Sequence, residues 1–293
     1  MTAEPSPPSM ARAAWYPDPT RPGMIRYWDG TRWTAHRVES PLGRPPGPTP
    51  LPAPATATGW FPDVASLRWP AAILAIAVVV TNIVGNSITA EMGSASALRT
   101  LLGLGLLVLY AVGFPLTAWY CSRRWGSGRL SDDLGLRATW ADVPLGFGGA
   151  IGLTVIVIVM GIVVRALGLP AGSNLTGLEK SGRNGALFLV LGVVAGVIAP
   201  VVEELLFRGV ILRGLRSKLT WPASVAAQAA VFGSAHFLVG LGWGNVGLIV
   251  VLGSVGVGLG LLARATGRLA AGMIAHSLFN IGQLTLLWFT LKH

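Results

Sequence analysis

The sequence predicts an all-α polytopic membrane protein with about seven transmembrane helices, preceded by a small β-rich cytoplasmic module and a Pro/Ala-rich linker. Composition is the first reason. Of 293 residues, 52% are hydrophobic and 12% charged, against about a quarter charged in soluble domains. Mean hydropathy is +0.62. The second reason is the succession of apolar runs after Leu67, most of them near the ~20 residues that cross a bilayer. The third is the abundance of glycine, 39 residues, which suits close helix approach in a bundle.

Residues 11–40 form the candidate module. They hold Trp15-Tyr-Pro-Asp-Pro, then Arg26-Tyr-Trp-Asp-Gly-Thr-Arg-Trp33-Thr. Asp29-Gly30 between aromatic segments signals a hairpin, and two or three small strands fit the alternation. So short a segment has few aliphatics for a core of its own. Residues 41–66 are rich in Pro, Ala and Thr without periodicity and read as a linker.

Residues 67–293 form the transmembrane domain. Candidate spans cover about 69–90, 97–120, 143–166, 185–209, 222–240, 246–263 and 269–291, the first two with the least regular pattern. Alternate loops carry Arg123, Arg124, Arg129 and Arg137, then Arg213, Arg216 and Lys218, then Arg264 and Arg268. With the N-terminal seven arginines this makes 16 basic residues on one side. Arg99, Arg165, Lys180, Arg183 and Lys292 stand opposite. The asymmetry places the N-terminus in the cytoplasm and the chain in the cell membrane as a multi-pass protein. It also explains the net charge of +10 without nucleic acid, because the first 68 residues balance seven arginines against five acids. The start lacks a basic region running into an apolar one, so no cleavable signal peptide is expected. The single cysteine, Cys121, excludes an intramolecular disulfide and leaves no soft metal cluster.

Chemistry is concentrated late in the chain. Glu203 and Glu204 interrupt an apolar run, with Arg208 close behind. Each charge at a helix centre costs roughly 2.5 kcal/mol or more on insertion scales. Phe232-Gly-Ser-Ala-His236 and His276-Ser-Leu-Phe-Asn280 follow. Glu203 lies 14 residues before Ser217 and His236 lies 15 after Trp221. A turn over 217–221 would therefore bring both to one depth, about 20 Å from it at 1.5 Å per residue. His276 and Asn280, four apart, share a helix face, roughly 12 and 18 Å from Arg268.

A carboxylate beside an imidazole can deprotonate a water, and an imidazole with an Asn amide can donate to an oxyanion. That set suits amide hydrolysis without a covalent intermediate. Blander roles stay open for each residue alone. Either His, or Asn280, serves as interhelical hydrogen-bonder, Glu204–Arg208 as an internal ion pair, and Phe232 as packing or pocket wall. Pro200 is either a cavity-widening kink or a tolerated bend. Ser234 and Ser277 have no Lys or Asp in these spans to complete a dyad or triad.

Glu203-Glu204-x-x-x-Arg208, Phe232-x-x-x-His236 and His276-x-x-x-Asn280 resemble, in order and spacing, the three motifs of the CAAX-protease and bacteriocin-processing (Abi) family of intramembrane glutamic endopeptidases. The resemblance spans 185–285. It implies Glu203 as general base, His236 as its partner on the attacking water, and His276 with Asn280 as oxyanion hole. Glu204, Arg208 and Phe232 would be supporting residues. A metalloprotease-like Glu/His/His set could hold zinc, but the glutamate mechanism implied by the family needs no metal and no other cofactor. The implied partners are a peptide or membrane-protein substrate and the lipid bilayer. The N-terminal pattern resembles a short tryptophan-rich module of bacterial membrane proteins, with a possible cytoplasmic partner or the inner leaflet as ligand. Two other readings use the same residues: a non-catalytic membrane scaffold or immunity protein, and an ion-coupled transporter, which would favour broken helices in both halves.

Overall fold

The structure, a computed structural model, describes residues 13–21, 23–30, 32–39, 67–92, 97–175 and 184–291. The linker expected over 41–66, residues 11, 12, 22, 31 and 40 of the module, and Lys180, Arg183 and Lys292 lie outside them. The chain divides into two compact units, 1–60 and 61–293.

In the first unit, β1 (Ala14–Pro17), β2 (Met24–Trp28) and β3 (Trp33–Glu39) make an antiparallel meander in the order β1-β2-β3. Trp15 faces Tyr27, and Trp28 faces Trp33 across a shift in register between Arg26 and Trp28. The expected hairpin turn lies at Asp29-Gly30. Gly30 takes φ 95°, a value that favours glycine, and the Arg32 N–H donates to Asp29 Oδ1 at 2.8 Å. Aromatic packing replaces the missing aliphatics, with Trp28 and Trp33 edge to face at 5.4 Å.

Asp18, buried at the β1–β2 turn, accepts from the Thr20 amide at 2.8 Å, the Thr20 hydroxyl at 2.7 Å and Arg37 Nε at 2.7 Å. Burial alone would raise its pKa, but the bonds from Thr20 and Arg37 outweigh it and lower the pKa from 3.8 to about 2. A carboxylate with a depressed native pKa contributes stability that is complete above the unfolded value and lost as pH falls through the folded one. Asp18→Asn is therefore expected to reduce amide-exchange protection of residues 14–39 by about 2 kcal/mol at pH 7. The difference from wild type should narrow toward pH 2. Equal protection of the two chains at pH 7 would contradict it.

The second unit is helical. α1 (Trp69–Glu91), α2 (Ala97–Trp125), α4 (Asp142–Ala166), α5 (Gly185–Arg216), α7 (Gly244–Thr266) and α8 (Ala270–Thr290) are long and apolar enough to cross a membrane. The short α3 (Leu130–Asp133) and the 14-residue α6 (Trp221–Ser234) complete the described helices. Leu101, Ile158 and Leu189 are among many large apolar side chains left exposed on the long helices, as a lipid-facing surface requires. The Gly247 amide at the start of α7 donates to Pro170 O just past the end of α4 at 3.2 Å, so these helices run antiparallel. The exposed Trp140 and Trp243 precede them at opposite ends, where tryptophan anchors a span.

The fifth expected span, 222–240, is shorter than its apolar length suggests. α6 stops at Ser234, and the chain then runs through a turn and a 3-10 segment, Val239–Leu241. Backbone without helical bonds is tolerated at depth only when the protein satisfies it. Asn245, buried, does so for Leu238, accepting its N–H at 2.9 Å and donating to its carbonyl at 2.8 Å. Six helices thus have spanning length where seven spans were expected, and α6 is the shortfall. Small residues then bring the helices together. A Cβ at Gly233 of α6 would lie 2.5 Å from Ile249 O of α7, and one at Gly214 of α5 would lie 2.8 Å from the Ala72 Cβ of α1.

Candidate active site

Two prolines shape the site. α5 contains a π-helical segment, Val194–Ile198, directly before Ala199-Pro200, and α2 contains another, Leu109–Gly113, directly before Phe114-Pro115. In each, the N–H of the residue before proline reaches back five positions, Ala199 to Val194 O and Phe114 to Leu109 O. Proline has no N–H to continue that pattern, so the carbonyls of Ala195 and Tyr110 lose their helical donors. The Asn280 side-chain amide of α8 supplies the missing donor to Ala195 O at 2.7 Å. Pro200 therefore does more than bend α5, since the carbonyl it releases orients Asn280. A third π segment, Glu204–Leu212, begins directly after Glu203 and carries Glu204 and Arg208. π-bulges inside helices often mark functional sites.

Glu204 and Arg208 are fully buried and pair at 2.9 Å from Nη1 to Oε1. Arg208 Nη2 also donates to Gly256 O of α7 at 3.3 Å, and its guanidinium lies 4.4 Å above the Phe232 ring. Phe232 thus stacks on the cation as well as walling the cavity. His276 Nδ1 lies 3.3 Å from the same Glu204 Oε1. A carboxylate accepts, so this nitrogen carries the proton. His276 Nε2 points toward Glu203 Oε2, at 3.9 Å. Gly272 leaves room for the Glu204 carboxylate, because a Cβ there would lie 2.9 Å from Glu204 Oε2.

His236 sits beyond the end of α6, not on it. Its backbone N–H donates to Gly233 O at 3.1 Å, which frees the Phe232 carbonyl. The His236 ring caps that carbonyl through Nδ1 at 2.8 Å. A carbonyl can only accept, so Nδ1 holds the proton and Nε2 is left with a lone pair.

Glu203, His236, His276, Asn280 and Phe232 all line one cavity of about 410 Å³. Its other walls come from α4, α7, α8 and the 171–175 loop, with Val157, Leu248 and Leu252 among them. Glu204 and Arg208 lie behind the wall and reach the cavity only through His276 and Phe232. Among the described residues, no group of three His, Cys, Asp or Glu side chains is placed to share a metal ion.

Residues 185–282, which carry all of these motif residues, match the family described as Type II CAAX prenyl endopeptidase Rce1-like. This segment is similar to the Rce1-like family over those residues. The Rce1-like domain and the six apolar helices support a multi-pass membrane protein of a protease family. Residues 13–55 match the family described as Protein of unknown function (DUF2510). No curated protein and no solved structure matches the chain.

One residue at the site escaped sequence reasoning. The Tyr110 hydroxyl donates to Glu203 Oε1 at 2.8 Å, yet Tyr110 lies outside the Rce1-like domain, in the second expected span. A lone tyrosine in an apolar run carries no local signal that its hydroxyl meets a carboxylate from another helix.

Proposed function

We propose that the chain is an intramembrane endopeptidase in which Glu203 and His236 activate a water for direct attack on a peptide bond. The observation that carries this is the meeting of Glu203, His236, His276 and Asn280 on a single cavity with mostly apolar walls. Glu203 Oε1 is engaged by Tyr110, which leaves Oε2 to take the proton, while His236 Nε2 accepts the water's other hydrogen. The water oxygen bonds to the carbonyl carbon, and the developing oxyanion accepts from His276 and from the second N–H of Asn280. For His276 to donate from Nε2 as well as Nδ1 the ring must carry a positive charge, which Glu203 and Glu204 on either side would balance. The C–N bond then breaks as the proton held by Glu203 passes to the leaving amine. Glu204 and Arg208 hold His276 and Phe232 in place.

The substrate is a peptide or a membrane-protein segment that fits a mostly apolar cavity. In this reading the chain sits in the cell membrane with its N-terminus in the cytoplasm, on the loop-arginine asymmetry. Residues 11–40 form a module for a cytoplasmic partner, 41–66 a linker, and 67–293 the membrane domain.

The test is incubation of the purified full chain, in lipid nanodiscs, with a peptide library read by mass spectrometry. Wild type should produce discrete cleavages that are absent with Glu203→Gln and with His236→Ala. Cleavage by Glu203→Gln at the wild-type rate would overturn the proposal, and a complete absence of cleavage by wild type would favour the scaffold.

A further inference from the structure

A second pocket, of about 100 Å³, lies at Glu203 and His236 and is walled by α1 and α2 instead of α4 and α7. Its polar groups are Asn82, Tyr110, Glu203 and His236, and its apolar walls include Phe114 and Phe207. At the ~30 Å³ each occupies in the liquid, about three waters fit, and a water is held when it finds two to four polar partners. Four such side chains converge here. The Asn82 amide donates to Leu106 O of α2 at 3.3 Å, and its Oδ1 accepts from Asn86 at 2.9 Å. These bonds fix Asn82 between α1 and α2, facing the pocket.

Hydrolysis consumes one water per turnover. A peptide seated in the larger cavity displaces solvent there, and the mostly apolar walls offer displaced water few partners. The smaller pocket touches the same two activating side chains from the α1–α2 side. We propose that this pocket stores the attacking water, and that Tyr110 is a positioning residue that holds Glu203 between the two chambers. The proposal rests on the endopeptidase reading for its kinetic consequence but not for its hydration. The phenol–carboxylate bond keeps Oε1 occupied, so that Oε2 is the oxygen presented to the water.

The experiment has two arms, both on the full chain in nanodiscs. Radiolytic hydroxyl-radical labelling oxidises side chains adjacent to bound water. Wild type should be labelled at Tyr110 and Phe114, and Asn82→Leu, which removes a polar partner, should lose most of the Phe114 label. Asn82→Ser, smaller but still polar, should keep it, which separates a dried pocket from a misfolded chain. In the kinetic arm, Tyr110→Phe and Asn82→Leu should each lower kcat about ten-fold or more with KM unchanged, as expected when a general base loses its positioning. Absence of label at Tyr110 and Phe114 in wild type overturns the proposal, as does a raised KM with unchanged kcat. The labelling arm reads the pocket whether or not the chain cleaves peptides. Failure of the endopeptidase reading would leave the label in place and abolish only the kinetics.

Discussion

Glu203→Gln is expected to lower kcat for peptide hydrolysis by about 10²- to 10⁴-fold, the range that a positioned general base contributes, while leaving thermal stability close to wild type. The side chain has the same shape, and the amide oxygen can still accept from Tyr110, whose hydroxyl lies 2.8 Å from Oε1. Arg208 keeps its own partner, Glu204, at 2.9 Å, and His276 keeps its contact with Glu204 Oε1 at 3.3 Å, so Glu204 still faces both buried cations. An amide cannot take a proton from water at neutral pH, so only the chemical step is removed. Single-turnover rates and unfolding curves on the same nanodisc preparation check both halves. A loss of activity that tracks a loss of fold would contradict the assignment.

The largest stability effect is expected at Arg208. Arg208→Met should destabilise the membrane domain by about 3–5 kcal/mol, the cost of leaving one partner of a buried ion pair uncompensated. Glu204 would then keep its charge in a fully buried site, with Oε2 already lacking a hydrogen-bond partner among the described residues. Arg208→Met also removes the cation above Phe232 and the donor to Gly256 O. The double variant Glu204→Gln/Arg208→Met should recover a large part of the loss, since an uncharged pair removes the buried-charge penalty. Thermal unfolding in detergent micelles distinguishes these outcomes. A double variant as unstable as the single would show that packing, not charge, dominates.

Much of this was legible because the physics of a membrane leaves few options. Long apolar runs had to be helices, and α1, α2, α4, α5, α7 and α8 lie where those runs lie. Asp29-Gly30 could hardly be other than a turn, and β2 and β3 flank it. The four-residue spacing of Glu204 and Arg208 placed them on one face, and they pair at 2.9 Å. Other features depended on partners distant in sequence. The run over 222–240 is apolar enough to span, yet α6 ends at Ser234, where the His236 ring caps Phe232 O in its last turn and Asn245 satisfies Leu238 in the backbone that follows. Hydropathy does not register that satisfaction. Tyr110 was hidden for a different reason. An aromatic residue in an apolar helix reads as lipid-facing or packing until a carboxylate from another helix is found 93 positions away.

The most direct test is a comparison of new peptide termini in cells that express wild type, Glu203→Gln or His236→Ala at equal levels. Termini present with wild type and absent with both variants would establish proteolysis through this cavity and identify the substrate. Identical termini in all three, with any phenotype still rescued by Glu203→Gln, would contradict the catalytic role and leave the chain a scaffold.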